Sequence, residues 1–246
     1  MFDFHVHTGH FKDGLYFSPE EVAQGMKALN VERYYFSSTS TGSVPFVEVR
    51  REIEELFSLS EGRAIPFLWV SPEMLKHSPD LSAYFFREFA GIKIHGYHQD
   101  WNPAGKELRR VFEIARDKNV PVMFHTGGRE ASNAGAYMNI CREFHDVRII
   151  LAHGRPVDEC VAVMKECPNV WADTAFMSVK SILRLKEEGL ISRVLWGSDF
   201  PVMRYFYDIP AEQYYRQNIE EVREAIGNED FRRITQENFD SIMKLA

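Results

Sequence analysis

The chain has 246 residues, of which 45% are hydrophobic, and a formal net charge of -7. This size suffices to bury one large core, so we expect a single domain spanning residues 1–246. An acidic chain offers no broad positive field for a phosphate backbone, which argues against nucleic acid as a partner. No apolar run approaches the roughly 20 residues that cross a bilayer, and the first residues do not resemble a secretion signal. We therefore expect a cytoplasmic protein without a membrane partner.

The first predicted strand, FDFHVH, begins at Phe2, and further strand-like runs alternate with longer amphipathic stretches. The others are RYYFSS from Arg33, AIPFLWV from Ala64, GIKIHG from Gly91, VPVMFH from Val120, VRIILAH from Val147, NVWADTAF from Asn169 and RVLWGSDF from Arg193. This alternation is typical of βα units, and about eight strands predict a (β/α)8 TIM barrel. The alternative is a doubly wound open sheet, which usually carries a Gly-rich phosphate turn that this sequence lacks.

The helical stretch SPEEVAQGMKAL follows the first strand. Ser18 can cap this helix, Pro19 fits its first turn and Glu21 completes a capping box. The stretch after Asp199 is longer than one helix requires, so additional helices over about 211–245 are expected to pack over the barrel. Other helices are predicted to begin near Pro45, Leu81, Ala104, Ser132, Pro156, Val179 and Ala211.

The three cysteines are Cys141, Cys160 and Cys167. They form neither a C-x-x-C pair nor an even set for disulfides, which favours reduced thiols. We expect these side chains to be buried for structural reasons.

The opening strand places Asp3, His5 and His7 at alternate positions, so their side chains share one face. Two neutral imidazoles on one face can converge on a divalent ion, and Asp3 could orient one of them from behind. Alone, this motif is weak evidence, because an inward-facing pair could simply hydrogen-bond within the core.

Three later strands end in polar residues. VMFHTGG delivers His125, IILAHGRP delivers His153 and VLWGSDFP delivers Asp199. The carboxyl ends of parallel barrel strands form one functional rim. We therefore expect these side chains to meet His5 and His7 around a single cation at one mouth of the barrel.

The combined pattern resembles the amidohydrolase superfamily, particularly its amidohydrolase-2 branch. The residues that carry the resemblance are DxHxH on strand one, GxKxH on strand four, a histidine on each of strands five and six, and SD-x-P on strand eight. That branch includes metal-dependent hydrolases and decarboxylases of the aminocarboxymuconate-semialdehyde and resorcylate types. The resemblance extends to the closing ITQENFDSIMKL, which is similar to the family's terminal helix.

Carried over by position, the resemblance implies that His5, His7, His125 and Asp199 bind one divalent ion, Zn²⁺ in the first instance, with Mn²⁺ as an alternative. His153 would stand beside the activated water as an acid–base or carbonyl-polarising residue. Asp199 would also be catalytic, because a carboxylate beside such a water can take its proton.

Further candidates near the site are Lys93, His95 and Asp173. Lys93 and His95 share a strand face in GIKIHGYHQD. In some superfamily relatives this lysine is carboxylated and bridges two metals, whereas the amidohydrolase-2 resemblance implies one ion. The alternatives are an amine paired within the core and a satisfied buried histidine. Asp173 would either support a catalytic histidine or tie a loop to backbone amides.

Candidate substrate-binding residues follow the strand ends, where loops shape a barrel's pocket. An arginine there could grip a substrate carboxylate through paired donors, although solvated loop arginines are the alternative. We expect a small-molecule partner, with a carboxylate as one candidate. The residues are Tyr97, His98, Arg129, Arg155 and Arg204.

The leading hypothesis is metal-dependent hydrolysis of a small carboxylic ester, lactone or amide. Non-oxidative decarboxylation of a small unsaturated or aromatic carboxylate is the nearest alternative, and the compact loops of this chain favour hydrolysis. A phosphoesterase of the polymerase-and-histidinol-phosphatase type shares the opening motif, but YYFSSTS lacks that family's further Asp-His. A catalytically silent metal-binding scaffold is the remaining alternative. The resemblance would also fit a homodimer, although no sequence feature marks an interface.

Overall fold

The computed structural model of the protein describes residues 1–244, in which strands and helices alternate along the chain. The strands are β1 (Phe2–His10), β2 (Tyr16–Phe17), β3 (Arg33–Ser38), β4 (Ala64–Trp69), β5 (Gly91–His95), β6 (Val122–His125), β7 (Ile149–Ala152), β8 (Val170–Asp173) and β9 (Val194–Leu195). The helices are α1 (Pro19–Ala28), α2 (Phe46–Leu59), α3 (Pro72–His77), α4 (Lys106–Asp117), α5 (Met138–Glu143), α6 (Val157–Glu166), α7 (Val179–Glu187), α8 (Met203–Phe206), α9 (Ala211–Ile226), α10 (Asn228–Arg232) and α11 (Asn238–Lys244).

The strands form a closed barrel. Within residues 1–244, eight strands pair in parallel in the order β1-β3-β4-β5-β6-β7-β8-β9. The barrel closes after β9, where the amide of Asp199 donates to the His5 carbonyl and the amide of His7 donates to the Phe200 carbonyl, both at 2.8 Å. These contacts confirm the predicted TIM barrel. The short β2 is an addition that pairs antiparallel with the end of β1.

The predicted strands occur where the sequence places them. The apolar runs at β6 and β7 are buried along their length, apart from the half-buried His125. Continuous apolar runs are expected of parallel strands, because helices cover one face and the barrel interior the other. The eighth predicted run contributes only two residues to a regular strand, and the chain beyond it reaches β1 through the closing hydrogen bonds.

At the start of helix α1, the predicted cap and first-turn proline are present, but the predicted capping box is not. Ser18 Oγ accepts a hydrogen bond from the Glu21 amide at 3.1 Å, and Pro19 occupies the first turn. The Glu21 side chain does not complete the capping box; it pairs with Arg204 near the barrel rim instead. An ion pair with an arginine on another element has therefore replaced the local contact.

The predicted helix near Leu81 is wrong. The helix after β4 is α3, whose cap is Ser71. Leu81 is buried in a turn with φ of 58°, outside the right-handed helical region. The carboxylate of Asp80 accepts hydrogen bonds from the amide and hydroxyl of Ser82, a local turn that competes with helix formation.

The helix predicted near Ser132 begins later than expected. Two short 3₁₀ turns cover Glu130–Ser132 and Ala134–Tyr137, and α5 starts only at Met138. Two turns with i to i+3 hydrogen bonds, which wind more tightly than an α-helix, therefore precede α5.

The C-terminal helices pack against the start of the barrel. The Trp196 amide donates to the Ile234 carbonyl at 2.8 Å, in a π-helical turn that spans Arg233–Glu237. The Phe239 ring lies 5.3 Å from that of Phe4, which closes the core at this end. The predicted limit of these helices near residue 245 lies outside the described residues.

The structure also bears on the burial of the cysteines and on the length of the helices. Within the described chain, all three cysteines are free and buried, as predicted. Across residues 1–244, no helix is both long enough and apolar enough to cross a membrane.

Candidate metal and active site

A cleft of about 940 Å³ opens at the carboxyl ends of the barrel strands. Its floor combines titratable side chains from the ends of five barrel strands, all of them buried except the half-buried His125, and strand ends are where a TIM barrel builds its sites. Polar groups that are this well buried need partners, so their contacts indicate what the site can hold. These floor residues are His5, His7, Lys93, His95, His125, His153 and Asp199.

The two histidines of β1 direct their Nε2 atoms at each other across 3.0 Å. The other ring nitrogen of each is engaged, since Nδ1 of His5 lies 2.9 Å from Asp173 Oδ2 and Nδ1 of His7 lies 3.1 Å from the Ser37 carbonyl. Both acceptors require a proton on Nδ1, which leaves a lone pair on each Nε2. Two lone pairs that face each other at this distance repel unless a cation lies beside them.

The carboxylate of Asp199 completes this group. Its Oδ1 lies 3.0 Å from His7 Nε2 and 3.6 Å from His5 Nε2, and it accepts no well-formed hydrogen bond among the described residues. Burial alone would raise the pKa of Asp199, but the neighbouring His5 and His7 outweigh it and hold this pKa below its usual value. The group therefore offers an ionised oxygen and two imidazole nitrogens to one point.

Asp173, on β8, links two histidines of the site. One carboxylate oxygen contacts Nδ1 of His5, and the other accepts hydrogen bonds from the amides of His153 and Ala175, each at 3.0 Å. Burial raises the pKa of Asp173 to about 6 despite these bonds. Asp173 therefore has both of the roles expected of it. It orients the ring of His5, and it accepts hydrogen bonds from backbone amides of the connections after β7 and β8.

His153 joins His125 to the cluster. Nδ1 of His153 donates to the Ala175 carbonyl at 2.9 Å, and its Nε2 lies 3.0 Å from Nδ1 of His125. A proton on Nδ1 of His125 would satisfy this contact and leave a lone pair on its own Nε2.

The distances separate His125 from the tightest groups. Among the described residues, the ligand atoms of His5, His7 and Asp199 lie within 4.8 Å of one another, as do those of His5, His153 and Asp173. His125 belongs to neither group. The structure thus brings the opening pair of histidines together with Asp199, and His125 reaches them through His153.

Two site residues have an unusual backbone. His153 has φ of 68° and Asp199 has φ of 61°, both in the left-handed region that most side chains avoid. Such conformations persist where the surroundings over-determine them and are frequent at functional sites. At both positions the left-handed turn follows a barrel strand and directs the side chain to the cleft.

Lys93 and His95 both line the cleft, as their shared strand face predicts. Nζ of Lys93 lies 3.1 Å from His5 Nε2, and burial lowers the pKa of Lys93 to about 8. The ring of His95 stacks between Trp69, at 5.5 Å, and His125, at 3.8 Å. Lys93 is therefore an amine within the cluster, and His95 braces the ring of His125.

These residues fit a divalent transition metal ion. Burial lowers the pKa of His5, His125 and His153 well below the usual value, which keeps these imidazoles neutral and able to donate a lone pair. Nitrogen and carboxylate donors suit zinc and manganese. The contacts behind the rings, from Asp173 and Ser37, are of the kind that orients metal ligands.

The candidate substrate-binding residues divide into two sets. Tyr97, His98 and Arg155 line the cleft. Arg129 instead pairs with Asp100 at 2.6 Å and lies outside the residues that line the cleft. Arg204 also lies outside it, where it pairs with Glu21.

Several cleft residues escaped the sequence analysis. Trp69 ends β4, so the rule that strand ends line the site could have identified it. Ser37, which lies behind His7 and outside the cleft lining, offers its backbone carbonyl to that ring, a contact that no sequence motif marks. Three more are Lys12 and Phe176, on the connections after β1 and β8, and Phe206, at the end of α8; their positions depend on the path of the chain in the fold.

A family model described as amidohydrolase matches residues 86–238. No curated protein matches the chain in sequence. Among solved structures, the chain is similar to a probable 2-pyrone-4,6-dicarboxylic acid hydrolase from Acinetobacter baumannii with citric acid bound. The identity is 11% and the TM-score 0.72, over 99% of this chain and 98% of that chain.

Two further solved structures are similar to the chain. One is an amidohydrolase from Burkholderia multivorans with bound zinc, at 10% identity and a TM-score of 0.71, over 99% of this chain and 98% of that chain. The other is 5-carboxyvanillate decarboxylase from Novosphingobium aromaticivorans, complexed with manganese and 4-hydroxy-3-methoxy-5-nitrobenzoic acid. There the identity is 14% and the TM-score 0.65, over 90% of this chain and 78% of that chain. At these identities the similarities demonstrate a shared fold.

Proposed function

The chain belongs to the amidohydrolase family, and from that premise we propose that it is a metal-dependent hydrolase of a small carboxylic ester, lactone or amide. One observation carries the proposal. Two imidazoles and one ionised carboxylate, from His5, His7 and Asp199, converge at the floor of the cleft, where Asp199 Oδ1 has no hydrogen-bond partner among the described residues and Lys93 also lies against His5 Nε2. This donor set suits a single divalent cation.

The proposed cofactor is one zinc ion, with manganese as the alternative. Its ligands would be His5, His7 and Asp199, and His125 would be the fourth. Bound there, the cation would supply a Lewis acid and a water of lowered pKa. The similar fold from Burkholderia multivorans contains zinc, and the decarboxylase of similar fold contains manganese.

Asp199 and His153 would handle the protons. The Oδ2 atom of Asp199 lies 3.9 Å from His153 Nε2, so both groups face the same point of the cleft. Asp199, held ionised, would take a proton from the attacking water and return it to the leaving group. His153 would act as an acid–base residue that accepts and releases a proton at Nε2 during turnover, and its backbone amide is held by Asp173.

The proposal is tested with a panel of small esters, lactones and amides, with the newly formed carboxylate measured by liquid chromatography. We expect turnover on at least one class, loss of turnover after dialysis against a chelator, and recovery with about one equivalent of Zn²⁺ or Mn²⁺. Turnover that survives complete metal removal would contradict the proposal. So would metal binding without turnover on the whole panel, the result expected of a silent scaffold.

Decarboxylation is the second candidate, because aromatic rings line the cleft. Trp69 and Phe176 stand near the imidazoles of the floor, where an aromatic carboxylate could lie against them. Release of CO₂ from aromatic and unsaturated carboxylates distinguishes the two reactions. Hydrolysis of a substrate without CO₂ release favours our proposal, and CO₂ release without hydrolysis favours decarboxylation.

A further inference from the structure

The side-chain amide of Gln99 is held in one orientation at the wall of the cleft. Gln99 lies on the connection after β5 and lines the cleft. Its Oε1 accepts hydrogen bonds from the indole nitrogens of Trp69, at 2.9 Å, and Trp101, at 3.4 Å. An indole nitrogen can only donate, so both contacts require the amide oxygen on this side. The two tryptophans therefore fix the NH₂ group on the other side.

This NH₂ group has no partner within the protein. Nε2 of Gln99 is buried and makes no hydrogen bond to any residue of the described chain, 1–244. An unpaired buried donor costs free energy, and the amide cannot turn to remove that cost without breaking its contacts to both indoles. The donor is therefore available to an acceptor that enters the cleft.

A loosely packed turn covers the donor. A Cβ at Gly42 would lie 3.8 Å from Nε2 of Gln99, and apart from the chain neighbours of Gly42 no other heavy atom of the described residues lies within 4 Å of that point. Gly42 and Ser43 are exposed, and both line the cleft. Few packing contacts hold such a segment, so a small displacement of this turn is enough to admit an acceptor beside Nε2.

Trp69 lies between Gln99 and the candidate metal site. The nitrogen of its indole donates to Gln99, while its ring lies 5.6 Å from that of His7 and stacks on that of His95 at 5.5 Å. The two contacts are on one side chain. A small molecule whose reacting group lies at His7 therefore has its other end within reach of Gln99.

The chemistry of this wall favours an uncharged acceptor. An amide N–H carries no formal charge, so a carboxylate placed against it would lose hydration without a cation to compensate. Two cations on neighbouring connections are engaged elsewhere. Lys76 pairs with Glu73 at 2.9 Å, and Arg129 pairs with Asp100 at 2.6 Å. A carbonyl oxygen suits the donor better.

We propose that Gln99 is a specificity-determining residue, and that its Nε2 donates a hydrogen bond to an uncharged carbonyl oxygen at the end of the substrate remote from the bond that is cut. The inference rests on the proposed function for the reacting end of the substrate, and it adds a second carbonyl group to the substrate class. A site built to hydrogen-bond one group discriminates against an analogue that lacks it, because the buried donor is then left unpaired.

Three series of small acids test the inference by isothermal titration calorimetry on the full-length protein loaded with Zn²⁺. The parent probes are 4-oxopentanoate, 4-methylpentanoate, in which a methyl group replaces the ketone oxygen, and succinate, in which a second carboxylate replaces the ketone. Each series includes homologues with one and two further methylene groups, which vary the reach. None of these acids can be hydrolysed, so binding is measured without turnover.

We expect the best oxo acid to bind about tenfold more tightly than its methyl-branched counterpart and than the dicarboxylate of the same length. Equal affinities for every oxo acid and its branched counterpart would overturn the inference. A dicarboxylate that binds more tightly than the best oxo acid would overturn the uncharged class of acceptor.

Gln99→Glu isolates the donor from the contacts that hold it. The carboxylate can still accept from Trp69 and Trp101, but it has no hydrogen to donate. We expect the tenfold preference for the oxo acid to disappear in this variant. Gln24→Glu adds the same charge at an exposed position of α1 and should keep the preference. A preference that survives in Gln99→Glu would show that Gln99 only braces the two indoles.

Nuclear magnetic resonance observes the contact directly. The ¹H–¹⁵N signals of the Gln99 side-chain amide are identified by their absence from the spectrum of Gln99→Glu. They should shift when the best oxo acid is added and stay in place with its branched counterpart. Signals that do not move at saturating oxo acid would contradict a hydrogen bond from Nε2.

The ester, lactone and amide panel separates this inference from the proposed function. Turnover on the panel without any preference among the acids would refute the role of Gln99 alone. A preference for the oxo acid that Gln99→Glu abolishes, in a protein without turnover on the panel, would refute the proposed function and leave the carbonyl-binding role of Gln99 in place.

Discussion

Asp173 Oδ2 lies 2.9 Å from Nδ1 of His5, although 168 positions separate the two residues in the chain. Barrel closure brings β8 close enough to β1 for this contact. The carboxylate fixes the proton on Nδ1 and so turns the lone pair of Nε2 towards His7 and Asp199. The geometry of the candidate metal site therefore depends on a residue that lies behind it.

Replacement of that carboxylate should weaken metal binding. Asp173→Asn keeps the size of the side chain but removes the charge that orients His5, so we expect metal affinity to fall about 10- to 100-fold. Competition with a chromophoric chelator measures the affinity. Asp146→Asn, an exposed position just before β7, is the matched control and should bind metal like the unmodified protein. Equal affinity in both variants would contradict the orienting role.

Asp199→Asn should reduce turnover and leave the protein folded. The amide cannot take a proton from the attacking water, so we expect kcat to fall about 10²- to 10⁴-fold on any substrate that the panel identifies. Asp208→Asn is the control, since Asp208 is exposed on the loop after α8. Circular dichroism checks that both variants fold. A kcat within about threefold of the unmodified protein would exclude Asp199 as the base.

The close packing of α1 against the loop after β9 depends on Gly25. A Cβ at this position would lie 2.6 Å from Cζ of the buried Phe200 ring, next to Asp199. Gly25→Ala should therefore destabilise the protein by about 1–2 kcal/mol, because overpacking outweighs the gain in helix propensity. Urea denaturation measures the change. Gln24→Ala, on the exposed face of the same helix, should stay within about 0.5 kcal/mol.

The buried cysteines should be protected from thiol reagents. Burial raises the pKa of Cys160 to about 12 and also raises that of Cys141, which removes the reactive thiolate near neutral pH. We expect negligible labelling of the native protein at pH 8 and labelling of all three cysteines in denaturant. Rapid labelling of the native chain at pH 8 would show that these thiols are accessible.

The sequence predicts the barrel well because its strands are short apolar runs that need no distant partner to be identified. Each of the eight predicted runs contains a strand, and the polar residues at their ends do meet in one cleft. His5, His7 and Asp199 could be grouped in advance, since parallel strands deliver their carboxyl ends to one rim.

Other features of the fold and of the candidate site depend on contacts that no local sequence pattern contains. The sequence predicts a helix near Leu81, whereas the hydrogen bonds between Asp80 and Ser82 form a local turn there instead. The link from His125 to His153 depends on ring orientation, and the path of the chain at Phe176 depends on a carbonyl held by Arg155. Such features are fixed by tertiary structure.

Anomalous X-ray diffraction from crystals grown with Zn²⁺ tests the central claim most directly, because it locates the ion. The account predicts one strong peak per chain at the zinc edge, within bonding distance of His5 Nε2, His7 Nε2 and an oxygen of Asp199. A cleft without a peak, or three peaks of equal strength within it, would contradict a single ion held by the first and eighth strands.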